Sequence, residues 1–314
     1  MKILIVCSAT NQQIAPFIQE QADSLKYFGE MVDFFLIKQK GIKGYLQALP
    51  KLKARIRDFK PDIIHAHYGL SGLLANLQRK IPVITTFHGS DINDPKVLRW
   101  SKWALWLSAH SIFVSQKTID IANGRKRYSL LPCGIDTNIF YPVGKMEARQ
   151  ELGWDAKATY ILFAGSQDNA IKNYSLAKKA VDLIEGTKLI ELKDYNRNEV
   201  NLALNAADVA LMTSFSEGSP QFIKEAMACN CPIVSTDVGD VKELIKDTNG
   251  CYITTLQVNS VVEQLQKSLN FAATEGRING RSRLETTGLT DKQIAARLIE
   301  IYKHCVRHES KNQK

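Results

Sequence analysis

Short apolar runs and stretches of helical period alternate from the start of the chain. Residues 2–7 (KILIVC) are apolar after Lys2, the pattern of a strand buried on both faces of a parallel sheet. Residues 16–28 place Phe17, Ala22, Leu25 and Phe28 at helical spacing, and Gly29 closes that helix. The same pattern predicts strands over 32–37, from 63, over 83–87 and over 111–115. It predicts helices over 46–59, 72–79 and 96–107, with Pro61 ending the first of these. Strand and helix in alternation predict a parallel sheet with helices on both faces.

Between 130 and 142 (LLPCGIDTNIFYP) turn formers replace any clean period, and then the alternation restarts. Strands are expected over 160–164, 188–192, 209–213, 233–235 and 251–253. Helices are expected over 174–184, 199–206, 220–229 and 241–245, with a long one from about 258. Residues 291–306 form a last amphipathic helix, with Ile294, Ala295, Leu298, Ile301 and Tyr302 on one face. A chain of 314 residues accommodates two such α/β domains. The reading is two Rossmann-like domains with parallel sheets facing across a cleft, where ligands of such folds collect. The first strand is followed by Ser8-Ala9-Thr10-Asn11 and not by G-x-G-x-x-G, which excludes a dinucleotide fingerprint, and no P-loop occurs.

Composition narrows the setting. The longest apolar stretch, 103–114, is broken by Ser108, His110 and Ser111, and residues 3–7 are too few for a signal segment, so a cytoplasmic protein is expected. Six cysteines are scattered without a C-x-x-C pair. Cys229-Asn230-Cys231 reads as two core thiols at a helix end in preference to a metal site. The net charge of +9 is concentrated: between 38 and 60 stand Lys38, Lys40, Lys43, Lys51, Lys53, Arg55, Arg57 and Lys60 against the single acid Asp58. This is either a solvated helix face or a surface for an anionic membrane or acidic partner. Nucleic acid is not expected, since only Tyr45 and Phe59 interrupt the stretch as stacking aromatics and no nucleic-acid motif is present.

The chemistry concentrates in 213–235 (TSFSEGSPQFIKEAMACNCPIVS). A strand runs into a Ser/Gly turn, with Ser219 as the expected N-cap and Pro220 at the first helical position. The N–H groups of Gln221, Phe222 and Ile223 would then point out of the helix start and, with its dipole, attract an anion such as a diphosphate. Glu217 in the turn and Glu225 in the second helical turn offer carboxylates suited to the paired hydroxyls of sugars and riboses.

These residues resemble the E-x7-E signature of retaining family 4 glycosyltransferases, which have the GT-B fold. The resemblance extends to the segments 61–67 (PDIIHAH), 86–91 (TFHGSD), 131–136 (LPCGID), 163–165 (FAG) and 206–209 (AADV). It implies that Glu225 binds the nucleotide ribose, that Glu217 contacts the donor-sugar hydroxyls, and that backbone amides from Ser219 to Phe222, Gln221 among them, surround the sugar. Lys172 matches the lysine that neutralises the donor diphosphate, and His88 a histidine facing the sugar from the first domain. Ser166 stands where the family usually has an arginine, a neutral single bond in place of a charged fork. The segment 8–13 lacks the Gly-rich loop many members carry. His65 and His67 follow a strand, and His67 and Asp91 are candidates for the acceptor, Asp91 equally for a helix cap. Donor-base choice is expected near 191–194.

The implied domains are 1–140 with about 293–314 on the acceptor side, and 141–292 for the nucleotide sugar. The implied reaction is retaining transfer of a hexose from a UDP- or GDP-sugar to a glycan or lipid-linked saccharide. No Asp-x-Asp motif is present, so no metal or other cofactor is expected. The competing readings are a non-catalytic nucleotide-sugar-binding protein, and a GT-B epimerase or phosphorylase-like enzyme. The basic 38–60 segment would dock a cytoplasmic enzyme on the membrane face where lipid-linked acceptors reside.

Overall fold

A computed structural model describes residues 1–9, 13–39, 41–123 and 127–312. The chain divides into two compact units, Met1–Gly134 with Asp291–Lys314, and Ile135–Thr290.

The first unit begins with β1 (Lys2–Ser8), α1 (Pro16–Tyr27), β2 (Met31–Ile37), α2 (Gly41–Phe59), β3 (Ile63–His67) and α3 (Gly69–Asn76). It continues with β4 (Val83–Phe87), α4 (Ser90–Asn93), α5 (Pro95–Leu107), β5 (His110–Phe113), α6 (Gln116–Ala122) and β6 (Tyr128–Leu130). The six strands form one parallel sheet in the order β2-β1-β3-β4-β5-β6. Every residue of β3 and β4 is buried, His65, His67, Thr85 and Thr86 included, as expected of central strands covered on both faces.

The helix expected over 72–79 in fact starts three residues earlier, at Gly69. Tyr68, with φ of 72°, turns the chain directly out of β3. Two glycines then let α3 approach its neighbours closely. A Cβ on Gly72 would stand 2.5 Å from the Thr85 side chain, and one on Gly69 would meet Ser101 Oγ at 2.0 Å. The strand β6, which the sequence pattern did not predict, ends at Leu130 where the turn-rich stretch begins. Three residues at a sheet edge are too few to show a period.

The second unit contains α7 (Lys145–Glu151), β7 (Thr159–Phe163), α8 (Tyr174–Val181), β8 (Thr187–Glu191), α9 (Arg197–Ala206), β9 (Val209–Met212) and α10 (Gln221–Ala228). It continues with β10 (Ile233–Thr236), α11 (Val241–Leu244), β11 (Cys251–Thr254), α12 (Val258–Thr274) and α13 (Gly280–Thr286). Its five strands are also all parallel, in the order β11-β10-β9-β7-β8. Leu162, Ala210, Met212, Ile223, Met227 and Ile233 share the core on one side of this sheet. Ile161, Phe163, Val209, Leu211, Val234 and Leu265 share the core on the other. The thiols of Cys229 and Cys231 belong to the first of these cores, and burial pushes Cys231 up to about 11.

The final helix, α14 (Asp291–Asn312), packs on α1 of the first unit. Ser24 donates to Asp291 at 2.7 Å, and Tyr302 is wholly buried with its hydroxyl 2.6 Å from His65 Nδ1.

Candidate active site

In the second unit the strand order reverses between β7 and β9. Open parallel sheets bind ligands beyond the carboxyl ends of their strands at such a reversal. The segments leaving these two strands carry Lys172 and Glu217. Lys172 closes a 3-10 turn (Ala170–Lys172), stopped by Asn173 in the left-handed region at φ 55°. The two loops are tied together. The Thr213 hydroxyl donates to the carbonyls of Lys172 (3.0 Å) and Asn173 (3.1 Å), and Phe215 N–H donates to Ile171 O at 2.9 Å. Gly165, at φ 147°, lets the Lys172 stem pass where a Cβ would stand 3.2 Å from its Cγ. Lys172 Nζ thereby reaches Glu217 Oε1 at 2.7 Å, both side chains half-buried.

After Glu217 the chain turns through Gly218, Ser219 and Pro220. Gly239, at φ 56°, presses on this turn so tightly that a Cβ would lie 2.3 Å from Gly218 O. Ser219 is not the helix cap. Pro220 occupies that position, with no side-chain capping bond, and α10 begins at Gln221. The reason is that the Ser219 hydroxyl is engaged elsewhere: it donates to Asp240 Oδ2 at 2.7 Å and accepts from Lys224 Nζ at 3.1 Å. The helix α10 starts at Gln221, and Pro220 at its cap position has no side-chain bond to offer the first-turn amides. The Phe222 ring is buried in the core, so only its main chain is offered to a ligand. Gln221 stands beside it, half-buried.

Glu225 is buried, and its Oε1 accepts from Arg197 Nη1 at 2.6 Å. The Arg197 guanidinium lies 4.4 Å from the Phe140 ring centroid, which fixes it in place. Ser166 is not joined to this group in the bonds observed. Its hydroxyl shares a turn with Asp168, which pairs with Lys193 at 2.9 Å. Glu191 accepts from the Gln167 amide at 2.8 Å, linking the loop after β7 to the segment after β8.

Three residues of this constellation escaped the reading of the sequence: Arg197, Lys224 and Asp240. Lys224 is fully buried in a helix whose residues Phe222–Ala228 are all buried. A lysine inside an apolar helical run was the available signal, since a buried cation requires a partner. Burial lifts the Asp240 carboxyl to about 6, while the Lys224 charge and the Ser219 bond hold it down.

In the first unit the sheet reverses between β1 and β3, and a cavity of about 650 Å³ opens where those strands and β4 end. Ser8, Gln13, Tyr45, Tyr68 and Asp91 line it. Thr10, Asn11 and Gln12 of the loop after β1 lie outside the described residues, as does Lys40 of the basic segment. Asp91 borders the cavity, but its carboxylate accepts from the backbone N–H groups of Gly69, His88 and Gly89 at 2.9–3.0 Å. Burial raises it to about 6 against those three bonds. It therefore anchors both loops that shape the cavity.

His67 Nδ1 and His88 Nε2 are 3.0 Å apart, and His88 Nδ1 is 3.7 Å from Cys133 Sγ. Tyr68 packs against the His88 ring at 4.6 Å. His65 is held between Tyr302 and Thr86, and burial pushes it down to about 3, so it is neutral at ordinary pH. His67 is pushed well below its ordinary value by burial and by its two histidine neighbours.

Two doubly wound parallel units in one chain, each with side chains gathered at its strand reversal, are the GT-B fold. Residues 5–139 match the model of Glycosyltransferase Family 4, and residues 146–270 that of Glycosyl transferases group 1. The chain belongs to the family 4 type of glycosyltransferase that these two models describe.

A relative in Bacillus subtilis (strain 168), named as a teichuronic acid biosynthesis glycosyltransferase, TuaC, is 28% identical over 60% of this chain. The chain spans 56% of that relative's length. Among solved structures, sucrose-phosphate synthase from Thermosynechococcus elongatus superposes with a TM-score of 0.83 at 18% identity, covering 96% of this chain and 98% of that one. HepE of Anabaena, solved with UDP and glucose, superposes with a TM-score of 0.72 at 17% identity, covering 97% and 100%.

Proposed function

We propose that the chain transfers a hexose, with retention and without a metal, from a UDP- or GDP-sugar to a glycan or lipid-linked saccharide. The observation that carries this reading is the single turn-and-helix, 217–225, that holds Glu217, the start of α10 and Glu225 in sequence, with Lys172 at 2.7 Å from Glu217. HepE, a protein of the same fold, was solved with UDP and glucose, which supports a nucleotide sugar as donor.

In this reading Glu225 accepts from the ribose hydroxyls, steadied by Arg197. Glu217 accepts from the sugar hydroxyls, and the Ser219–Phe222 main chain, Gln221 included, surrounds the sugar. Lys172 leaves Glu217 to meet the diphosphate. Its cation and the α10 helix start supply the positive charge that a leaving phosphate requires. Ser166 contributes a neutral bond near the diphosphate. The acceptor enters the cavity of the first unit, beside Asp91, with His67 behind His88, and His88 serves the sugar. The bond from the anomeric carbon to the β-phosphate oxygen breaks as the acceptor oxygen bonds that carbon on the same face. The acceptor's proton passes to the departing phosphate oxygen. Glu217 positions the sugar and forms no covalent bond to it.

We further place the enzyme in the cytoplasm, with the basic 38–60 segment on an anionic membrane. No helix among the described residues is long and apolar enough to cross one. The test is a screen of UDP- and GDP-sugars by thermal shift, followed by turnover with saccharide acceptors and NMR of the product anomer. Retained configuration without added metal supports the proposal. An inverted product, or a trapped glycosyl–Glu217 adduct, refutes the mechanism. Donor binding without transfer to any acceptor refutes the enzyme in favour of a binding protein.

A further inference from the structure

The helix α5 packs by one face and presents the other. Ser101 and Ala104 are buried; Ser101 Oγ donates to Asp91 O at 2.8 Å and lies against Gly69 of α3. The outward face carries Lys96, Arg99, Lys102, Trp103 and Trp106. Trp103 is 55% exposed and Trp106 is 73% exposed, their rings edge-to-face at 6.1 Å. The Arg99 guanidinium stands 5.1 Å from the Trp100 ring. Three of the chain's four tryptophans thus lie in this helix of 13 residues. Trp103 and Trp106 stand outside the core of the unit. Large exposed aromatics grouped together mark a surface that meets something.

The neighbourhood says what that something is. The helix α3 packs between α2 and α5, and right-handed crossovers place all three on the same face of the sheet. The exposed side of α2 offers Leu46, Lys51, Lys53 and Arg57, and Arg79 and Lys80 follow α3. Across 46–60, 79–80 and 95–107 the only acid is Asp58. Asp94, at the start of α5, is occupied in capping it, accepting from Lys96 N–H at 2.8 Å. A second copy of the chain would bring the same positive charges against these, which disfavours a symmetric dimer through this face. Indole rings prefer the boundary between water and acyl chains, and flanking lysines and arginines prefer anionic headgroups.

We infer that α5 is a membrane anchor: Trp103 and Trp106 insert at the interface of an anionic phospholipid bilayer while Lys96, Arg99, Lys102 and the basic α2 face contact its headgroups. This deepens the membrane part of the function proposed above by replacing docking through charge alone with aromatic insertion. It does not depend on the assignment of donor or acceptor.

The test is sedimentation of the full chain with vesicles of phosphatidylcholine, with and without phosphatidylglycerol, read together with tryptophan emission. The expected result is binding to the anionic vesicles, a shift of emission to shorter wavelength, and quenching by brominated acyl chains. Added salt weakens the binding without abolishing it. The double variant W103S/W106S, and separately K96E/R99E/K102E, should each lower the vesicle partition coefficient by about tenfold or more. Both should leave the melting temperature and nucleotide binding unchanged, which separates this anchor from the donor site. Should the charge-reversal variant misfold, brominated-lipid quenching of the unmodified chain decides. Binding without quenching, no binding to anionic vesicles, or a vesicle-free dimer that W103S/W106S dissolves would each overturn the proposal.

Discussion

Replacing Lys224 by methionine tests whether the donor turn rests on a buried charge. Lys224 has no exposed surface, and its ammonium reaches Asp240 through the Ser219 hydroxyl, at 3.1 and then 2.7 Å. Asp240 Oδ1 is buried without a hydrogen-bond partner, so the carboxylate depends on that cation. Breaking a directly paired buried ion pair costs about 3–5 kcal/mol, which is the upper bound for these two charges bridged by a hydroxyl. In a unit of this size that bound is a fall in melting temperature of roughly 6–20 °C.

The loss has a defined pH dependence. Asp240 is raised from 3.8 to about 6 in the folded chain, so its ionised form opposes folding and stability declines as pH rises through that value. Without Lys224 the carboxyl rises further, and each added unit costs about 1.4 kcal/mol at a pH where it must ionise. At pH 5 Asp240 is largely protonated with or without the lysine, and the deficit shrinks. Thermal unfolding followed by circular dichroism at pH 5 and pH 8 reads this directly, with K224R as the charge-preserving control. In a D240N background, K224M should cost at least about 1 kcal/mol less than it does alone. Equal losses at both pH values, with no coupling to Asp240, would show that Lys224 merely fills space.

Other consequences follow from the same geometry. Lys172→Met should lower kcat/KM for the donor by about 10²–10³-fold, since it removes the cation assigned to the leaving phosphate, and initial rates at varied donor concentration will show it. His65 is neutral in the folded chain, with its value near 3 against 6.5 when unfolded, so its contribution is complete above 6.5 and is lost as pH falls. The stability advantage of the natural chain over His65→Gln should therefore shrink by about 1.4 kcal/mol per pH unit between 6.5 and 4.5, measured by paired melting curves. The raised carboxyls of Asp91 and Asp240 titrate in the opposite sense over the same range, so the difference between the two chains is the quantity to read.

The alternation of strands and helices was legible because both sheets are parallel and covered on both faces, which makes β1, β7 and β9 largely apolar runs. The placement of Glu217 in a turn and of Glu225 on the helix after it was legible because both lie on one continuous stretch of chain. The short helices α6, α7 and α13, of seven residues each, were not, since two turns of helix hold too few apolar positions to show a period. The cap of α10 was misplaced because Ser219 has two tertiary partners that outcompete the local capping bond. Arg197 lies 28 positions from Glu225, and Asp240 21 from Ser219, pairings that only the folded sheet brings together.

The central claim is that the segment 217–225 grips an activated sugar nucleotide, and titration calorimetry with UDP and GDP on three chains tests it most directly. The account predicts that the natural chain binds one of the two. Glu225→Ala should weaken that binding by at least about tenfold, or 1.4 kcal/mol, whereas Glu217→Gln should leave it within about twofold while abolishing sugar transfer. A natural chain that binds neither nucleotide, or a Glu225→Ala chain that binds as tightly as its parent, would contradict it.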